Sequence, residues 1–259
     1  MATSHAASEP IAEALQDWSG VEEKVKEMRD AGHGVLRPDV AYLYGKSLSM
    51  RDLGEEAMKQ LEQLPEDHKY FYRARYVIGS ELVKAKKLDQ ALDEFAKVVQ
   101  AKFPAGLGAD ERDQALLREV ASLAMARVNA EQGRTDEAMT SYAAVGRESP
   151  YLAQSLYEIA WMYVQQAQYA TLERDRARYL RKALQAIDIM LLSQDDQVLV
   201  PKATILKGNV LLKLDRFEDA VDAYKTVAKK FEPVYKELEL TLRDVKDPTQ
   251  YFNEVIAKN

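Results

Sequence analysis

Small and apolar residues recur along this chain on a fixed grid. In Tyr72–Pro104 (YRARYVIGSELVKAKKLDQALDEFAKVVQAKFP), Gly79 is followed by Leu82 three residues on, Ala91 twelve on and Phe95 sixteen on. Val98 comes next, and Pro104 closes the stretch. This spacing predicts two antiparallel helices in a hairpin. Gly79 and Ala91 stand where the helices touch, so neither carries a bulky side chain, while Leu82, Phe95 and Val98 fill the seam on either side. The grid returns as Gly45, Leu48, Ala57, Leu61 and Leu64, then as Ala126, Ala138, Tyr142, Val145 and Pro150. It returns again as Gly208, Leu211, Ala220, Tyr224 and Val227. Ala160 and Tyr163 with Ala183, Ile187 and Met190 fit it once eleven residues are inserted between the two halves. The leading small residues are 34, 47, 34 and 48 positions apart.

Taken in order, residues 1–9 read as a disordered tail and 10–36 as a partial repeat or cap, with helical patterns at Ile11–Trp18 and Val21–Arg29 broken at Ser19-Gly20. Five repeats follow at 37–70, 71–104, 110–150, 151–196 and 200–232, and capping helices fill 233–259. Pro38 opens the first repeat at a favoured first helical position, and Asp52-Leu53-Gly54 turns it. Gly106 and Gly108 mark 104–109 as the nearest thing to a domain boundary, after which the first helix of the third repeat is long. Gly133 falls in that repeat's turn. Ser149-Pro150 opens the fourth repeat. Its eleven-residue insertion is close to three helical turns, so both flanks keep their faces. Both helices of that hairpin should therefore lengthen, with Thr171–Arg178 (TLERDRAR) as a charged tip and Ala170–Leu180 removable without loss of the fold. In the last repeat Lys207 precedes Gly208, and Leu206 should supply the apolar contact. A break is expected at Glu232-Pro233, followed by Val234–Val245 and a short helix with Tyr251, Phe252 and Val255.

The grid resembles that of the tetratricopeptide repeat family, whose period is about 34 residues. The resemblance implies an all-α, right-handed solenoid of antiparallel helix hairpins, about five repeats with terminal caps. It also implies that the first helices line a concave groove that binds peptides or proteins. RESPYLAQSLYEIAWMYV and KGNVLLKLDRFEDAVDAYKTVAKKFEPV, within 147–234, are also similar to repeats of myxobacterial and related deltaproteobacterial cell-envelope proteins, some of them from gliding-motility machinery.

Composition narrows the chemistry. The 259 residues hold no cysteine, which excludes disulfides, thiolate metal sites and cysteine nucleophiles. A net charge of −6 argues against nucleic acid as a partner. No apolar run approaches the roughly 20 residues of a membrane helix, and the first ten residues do not form a signal peptide. The chain reads as soluble; excision from a longer protein would leave a periplasmic or envelope-associated place open. His5, His33 and His68 lack metal-ligand spacing, and no phosphate loop, nucleophile elbow or dinucleotide fingerprint occurs. Acidic pairs such as Glu55-Glu56 read as solvated charge. The expectation is no enzyme and no cofactor.

The groove positions implied by the family resemblance are Asp39, Tyr42, Lys46, Ser49 and Met50, then Arg73, Tyr76, Ser80, Val83 and Lys84. They continue with Val120, Leu123, Arg127, Ala130 and Glu131, and with Gln154, Tyr157, Trp161, Val164 and Gln165. Lys202, Ile205, Asn209, Leu212 and Lys213 complete them. Six are basic and two acidic, a net +4, with three tyrosines and a tryptophan among them. Aromatic and basic residues together are how peptide hot spots are built. The expected partner is an acidic protein or peptide segment with an apolar anchor against Tyr42, Tyr76 or Tyr157. On this reading Lys84→Glu with Arg127→Glu weakens binding without lowering stability. The family's lysine/asparagine clamp for chaperone carboxylates is not reproduced, because Tyr42 and Lys46 stand in its place. The alternative to a groove-binding adaptor is a subunit that self-associates through the long fourth hairpin and the terminal helices.

Overall fold

Small residues at helix contacts set how closely two helices approach, and the computed structural model shows them doing so. It describes residues 19–30, 36–103, 111–192, 198–244 and 249, which hold eleven helices and no strand. The chain divides into two units, Met1–Tyr151 and Leu152–Asn259.

The first unit contains α1 (Ser19–Asp30), α2 (Pro38–Met50), α3 (Gly54–Leu61), α4 (Phe71–Lys84), α5 (Leu88–Val99), α6 (Glu111–Glu131) and α7 (Thr135–Ala143). α2 with α3, α4 with α5, and α6 with α7 form hairpins. Each hairpin packs on the next through α3 on α4 and α5 on α6, while the first helices α2, α4 and α6 also touch in sequence. The boundary expected at 104–109 is not where the chain divides, because α5 packs on α6 across it. α1 starts at Ser19, the position of the expected break, and its buried Val25 joins it to the core. Ile11–Trp18 and the 1–9 tail lie outside the described residues.

The second unit contains α8 (Leu152–Tyr169), α9 (Glu173–Leu192), α10 (Leu199–Lys213) and α11 (Phe217–Asp244). α8 pairs with α9 and α10 with α11, and α9 and α8 both pack on α10.

The grid residues meet as their sizes require. Ala57, Ala91, Ala126, Ala138, Ala160, Ala183 and Ala220 are all fully buried. A Cβ added at Gly79 would lie 2.6 Å from the Phe95 ring, one at Gly45 2.6 Å from Leu61, and one at Gly208 2.5 Å from Tyr224. Three hairpins thus use the same close approach over the same sixteen-residue spacing. Four of the turns also share one geometry. Leu53 N–H donates to Leu48 O, Lys87 to Leu82 O, Arg134 to Asn129 O and Arg216 to Leu211 O, all at 2.8–3.0 Å. The residue before each donor is left-handed, at φ 58°, 59°, 74° and 58° for Asp52, Lys86, Gly133 and Asp215. This is the Schellman ending of a helix. It satisfies otherwise orphaned carbonyls and reverses the chain in two residues.

The α8–α9 hairpin departs from that plan. Its helices have 18 and 20 residues, against 14 and 12 in α4 and α5, so both are lengthened as the insertion requires. Thr171–Arg174 are exposed at its tip. Removal of Ala170–Leu180 would not be neutral, however. Leu180 is 1% exposed within the unit's core, and Tyr179 stacks on Tyr163 at 6.4 Å. The inserted turns repeat the inward-facing spacing, so they carry core as well as charge.

In α10, Leu206 is buried while Lys207 turns out to bind Asp188 at 2.7 Å. The expected break at Glu232-Pro233 is absent: α11 runs as one 28-residue helix through Pro233. A proline inside a helix costs about 3 kcal/mol, partly through a lost hydrogen bond. Here Lys229, whose carbonyl loses its donor, and every residue from 231 to 240 are exposed, so water reaches the gap. Val245 and the segment with Tyr251, Phe252 and Val255 lie outside the described residues.

Candidate functional site

In the first unit most of the side chains expected in the groove are engaged by neighbouring residues of the protein itself. Lys84 on α4 reaches the Glu81 carboxylate at 3.0 Å, Asp52 at 3.4 Å and the Ser49 carbonyl at 3.5 Å. Glu81 is itself only 4% exposed, and the Ser49 hydroxyl donates to it at 2.6 Å. A Cβ on Gly54, the first residue of α3, would lie 2.5 Å from Glu81 Oε2. The carboxylate therefore lies against the N-terminus of α3, where a helix dipole favours negative charge. The hydrogen bond to Glu81 raises the Lys84 pKa above its usual value, against a smaller opposing effect of burial. Lys84→Glu would place a second carboxylate beside a buried one, so the expectation that it leaves stability intact is wrong.

Tyr42 is also not an anchor. It is 3% exposed, within the core, and stacks on Tyr70 with centroids 4.5 Å apart. Tyr76 is half-buried, its ring 5.6 Å from Phe95. Burial pushes its phenol pKa up, partly opposed by Arg127 across on α6. Arg73 approaches Asp113 at 3.9 Å, and Glu131 is paired with Lys86 at 2.9 Å. Asp39 accepts from the Arg37 guanidinium at 2.7 and 3.2 Å; burial raises its pKa, but Arg37 brings it below the ordinary carboxylate value. Lys46 is half-buried on α2.

In the second unit the corresponding face is open and more apolar. Trp161 on α8 is 43% exposed and Tyr157 meets it edge-on at 6.5 Å. On α10, Ile205 and Leu212 are 44% and 41% exposed. Between α8 and α10 lies a cleft of about 430 Å³ lined by Trp161, Val164, Gln168, Leu206, Asn209, Val210, Leu212 and Lys213. Asn209 Oδ1 accepts from the Tyr224 hydroxyl at 2.7 Å. That bond fixes the amide and leaves its NH₂ to donate into the cleft. Among the described residues neither Lys202 nor Lys213 is in an ion pair. An aromatic face, an oriented amide donor and an ammonium group thus share one cleft. Its surface offers apolar contact beside hydrogen-bond donors and one positive charge.

The fold brings together Trp161, Asn209, Lys213, Val164 and Leu212 of the groove set. Gln168 and Leu206 line the same cleft and were not among the groove positions. Gln168 belongs to the added turn of α8, outside the 34-residue register that defines groove positions, and Leu206 reads only as a packing residue. The packing role of Glu81 was equally hidden, since a glutamate near a helix end ordinarily reads as solvated.

Among the described residues no cluster of histidine and acidic side chains could hold a metal ion, and no helix is long and apolar enough to cross a membrane. His5 and His33 lie outside the described residues.

No protein-family model matches the chain, and no curated protein matches its sequence. Fourteen chains among solved structures match it in fold. One is described as a MamA RS-1 ArsTM double mutant, with a TM-score of 0.49 and 18% identity over 79% of this chain and 98% of that one. The tetratricopeptide-like character of the fold rests on the hairpins, their close contacts and their repeated turns.

Proposed function

We propose that the protein is a non-enzymatic scaffold that binds a peptide segment of a protein partner, and that the α8–α10 cleft is its principal binding surface. The observation that carries this reading is Trp161, a large aromatic side chain left 43% exposed beside an oriented Asn209 amide and the unpaired Lys213 ammonium. A tryptophan held open at a concave apolar site is the residue type that most often dominates a protein interface. The ligand that suits the site is an acidic segment with one apolar or aromatic anchor. The anchor packs on Trp161 and Leu212, a backbone carbonyl accepts from Asn209, and a carboxylate approaches Lys213 or Lys202. Exposed charges of this kind contribute roughly 0–1 kcal/mol each, so they steer association while the apolar contact holds the complex. The sequence resemblance makes a multiprotein assembly of the bacterial envelope or motility machinery the setting we infer.

Selection from a random peptide library displayed against the immobilised protein tests this. Enriched sequences should share an acidic residue near an aromatic or branched apolar one. In a Trp18→Phe background Trp161 is the remaining tryptophan, and its emission should shift to the blue when such a peptide binds. Enrichment with no change in Trp161 emission would move the site elsewhere.

A further inference from the structure

Helix α11 carries apolar side chains well past the point where α10 covers it. Its first turns bury Ala220 and Ala223, but every residue from 231 to 240 is exposed. Along this helix Phe217, Val221, Tyr224, Ala228, Phe231, Tyr235 and Leu238 follow one another at alternating steps of four and three. That is a repeat of 3.5 residues, the period of helices that wind around each other. Tyr224 is half-buried, and the others are exposed, Phe217 by 59% and Tyr235 by 66%. The seam extends about 32 Å at 1.5 Å per residue. Pro233 falls on the opposite side of the helix, where it does not interrupt the seam.

We propose that α11 pairs antiparallel with α11 of a second copy of this chain. The sequence along the seam favours that occupant and that direction. With the two-fold axis between Lys229 and Lys230, Val221 meets the second copy's Leu238, Tyr224 meets Tyr235, and the small Ala228 meets the large Phe231. The two layers beside the axis thus each set a small side chain against a large one, which close packing favours. Beside the seam, Lys225 comes next to the second copy's Glu232, once on each side of the axis. Glu232 is held by Lys236 at 2.6 Å in the single chain, and both are exposed, so the carboxylate can accept from a second cation. A parallel pairing would set Glu232 beside Val227 and Phe231 against Phe231, with neither the charge match nor the size match. The pairing and the α8–α10 cleft share one side chain, Tyr224, whose hydroxyl holds Asn209, and none of the substitutions below alters it.

Light scattering across the micromolar range tests the proposal. The mass should rise from 29.3 kDa towards twice that value with concentration. Phe231→Glu with Tyr235→Glu should keep the protein monomeric with unchanged helicity and melting, since both side chains are exposed. Lys225→Glu should raise the dissociation constant several-fold, and adding Glu232→Lys should restore it. The chain has no cysteine, so direction can be read by cross-linking. Val221→Cys with Leu238→Cys should form a covalent dimer on mild oxidation, and Val221→Cys alone should not. A bridge within one chain is ruled out, because the two positions are about 25 Å apart along the helix and a disulfide needs Cα atoms within about 7 Å. A monomer at every concentration would mean that the seam belongs to another segment of the chain or another protein, and would overturn the proposal. So would efficient cross-linking through Val221→Cys alone, or a dimer that survives Phe231→Glu with Tyr235→Glu.

Discussion

On α2, α4 and α6 the polar side chains of the first-helix face are committed to the protein itself: Lys84 and Ser49 hold the buried Glu81, and Arg73 approaches Asp113. On α8 and α10 the equivalent face leaves Trp161, Ile205 and Leu212 open, with Lys213 unpaired beside them. Both faces stand on the same close-contact grid, so the hairpin scaffold does not decide their chemistry. The decisive difference is a buried carboxylate. Glu81 gathers donors around itself and turns one face into a structural joint between α2, α3 and α4. The second unit has no buried acid among its described residues, so its polar groups remain available to a ligand.

The largest expected effect lies in the second unit's hairpin rather than on its face. Leu180→Ala removes a fully buried side chain from the lengthened part of α8–α9 and should cost roughly 2–5 kcal/mol, read as a lower denaturant midpoint. A loss under about 0.5 kcal/mol would return that segment to the status of a solvated tip.

The faces themselves should respond in opposite ways. Glu81→Ala strands Lys84 and Ser49 and should cost about 1–3 kcal/mol. Trp161→Ala removes a half-exposed side chain and should change stability by no more than about 1 kcal/mol. If the tryptophan proves the more costly of the two, the second face is a packing surface and the contrast between the units fails.

How far the sequence reveals this architecture depends on what each position needs. A helix contact that admits only glycine or alanine is legible, because size at fixed spacing is the whole requirement; Gly79 with Phe95 and Gly208 with Tyr224 are of this kind. The burial of Tyr42 is not, since its position on the first helix is that of a groove residue, and Tyr70, from the linker before α4, covers it. The passage of α11 through Pro233 depends on solvent reaching one carbonyl, which no spacing rule conveys. Trp161 was legible as an aromatic groove residue, but its cleft is also lined by Gln168, which lies in the last turn of the lengthened α8, past the groove positions of the repeat.

The turns offer the smallest effect and a control common to both units. Lys86 occupies a left-handed conformation at φ 59° that Gly133 fills without strain. Lys86→Gly should therefore raise stability by up to about 1 kcal/mol, even with the loss of its exposed pair to Glu131. A clear decrease in melting temperature would show that this ion pair matters more than backbone strain.

The central claim is that a partner binds on α8 and α10 rather than on α2, α4 and α6. Calorimetric titration of one library-selected peptide against the unaltered protein, Trp161→Ala, and Lys46→Ala with Arg73→Ala tests it most directly. Loss of a hot spot of about 2 kcal/mol corresponds to a dissociation constant about thirtyfold higher, and that is the result expected for Trp161→Ala, with the first-unit pair changing it by less than about threefold. A peptide that binds Trp161→Ala at full strength and fails on Lys46→Ala with Arg73→Ala would contradict the account.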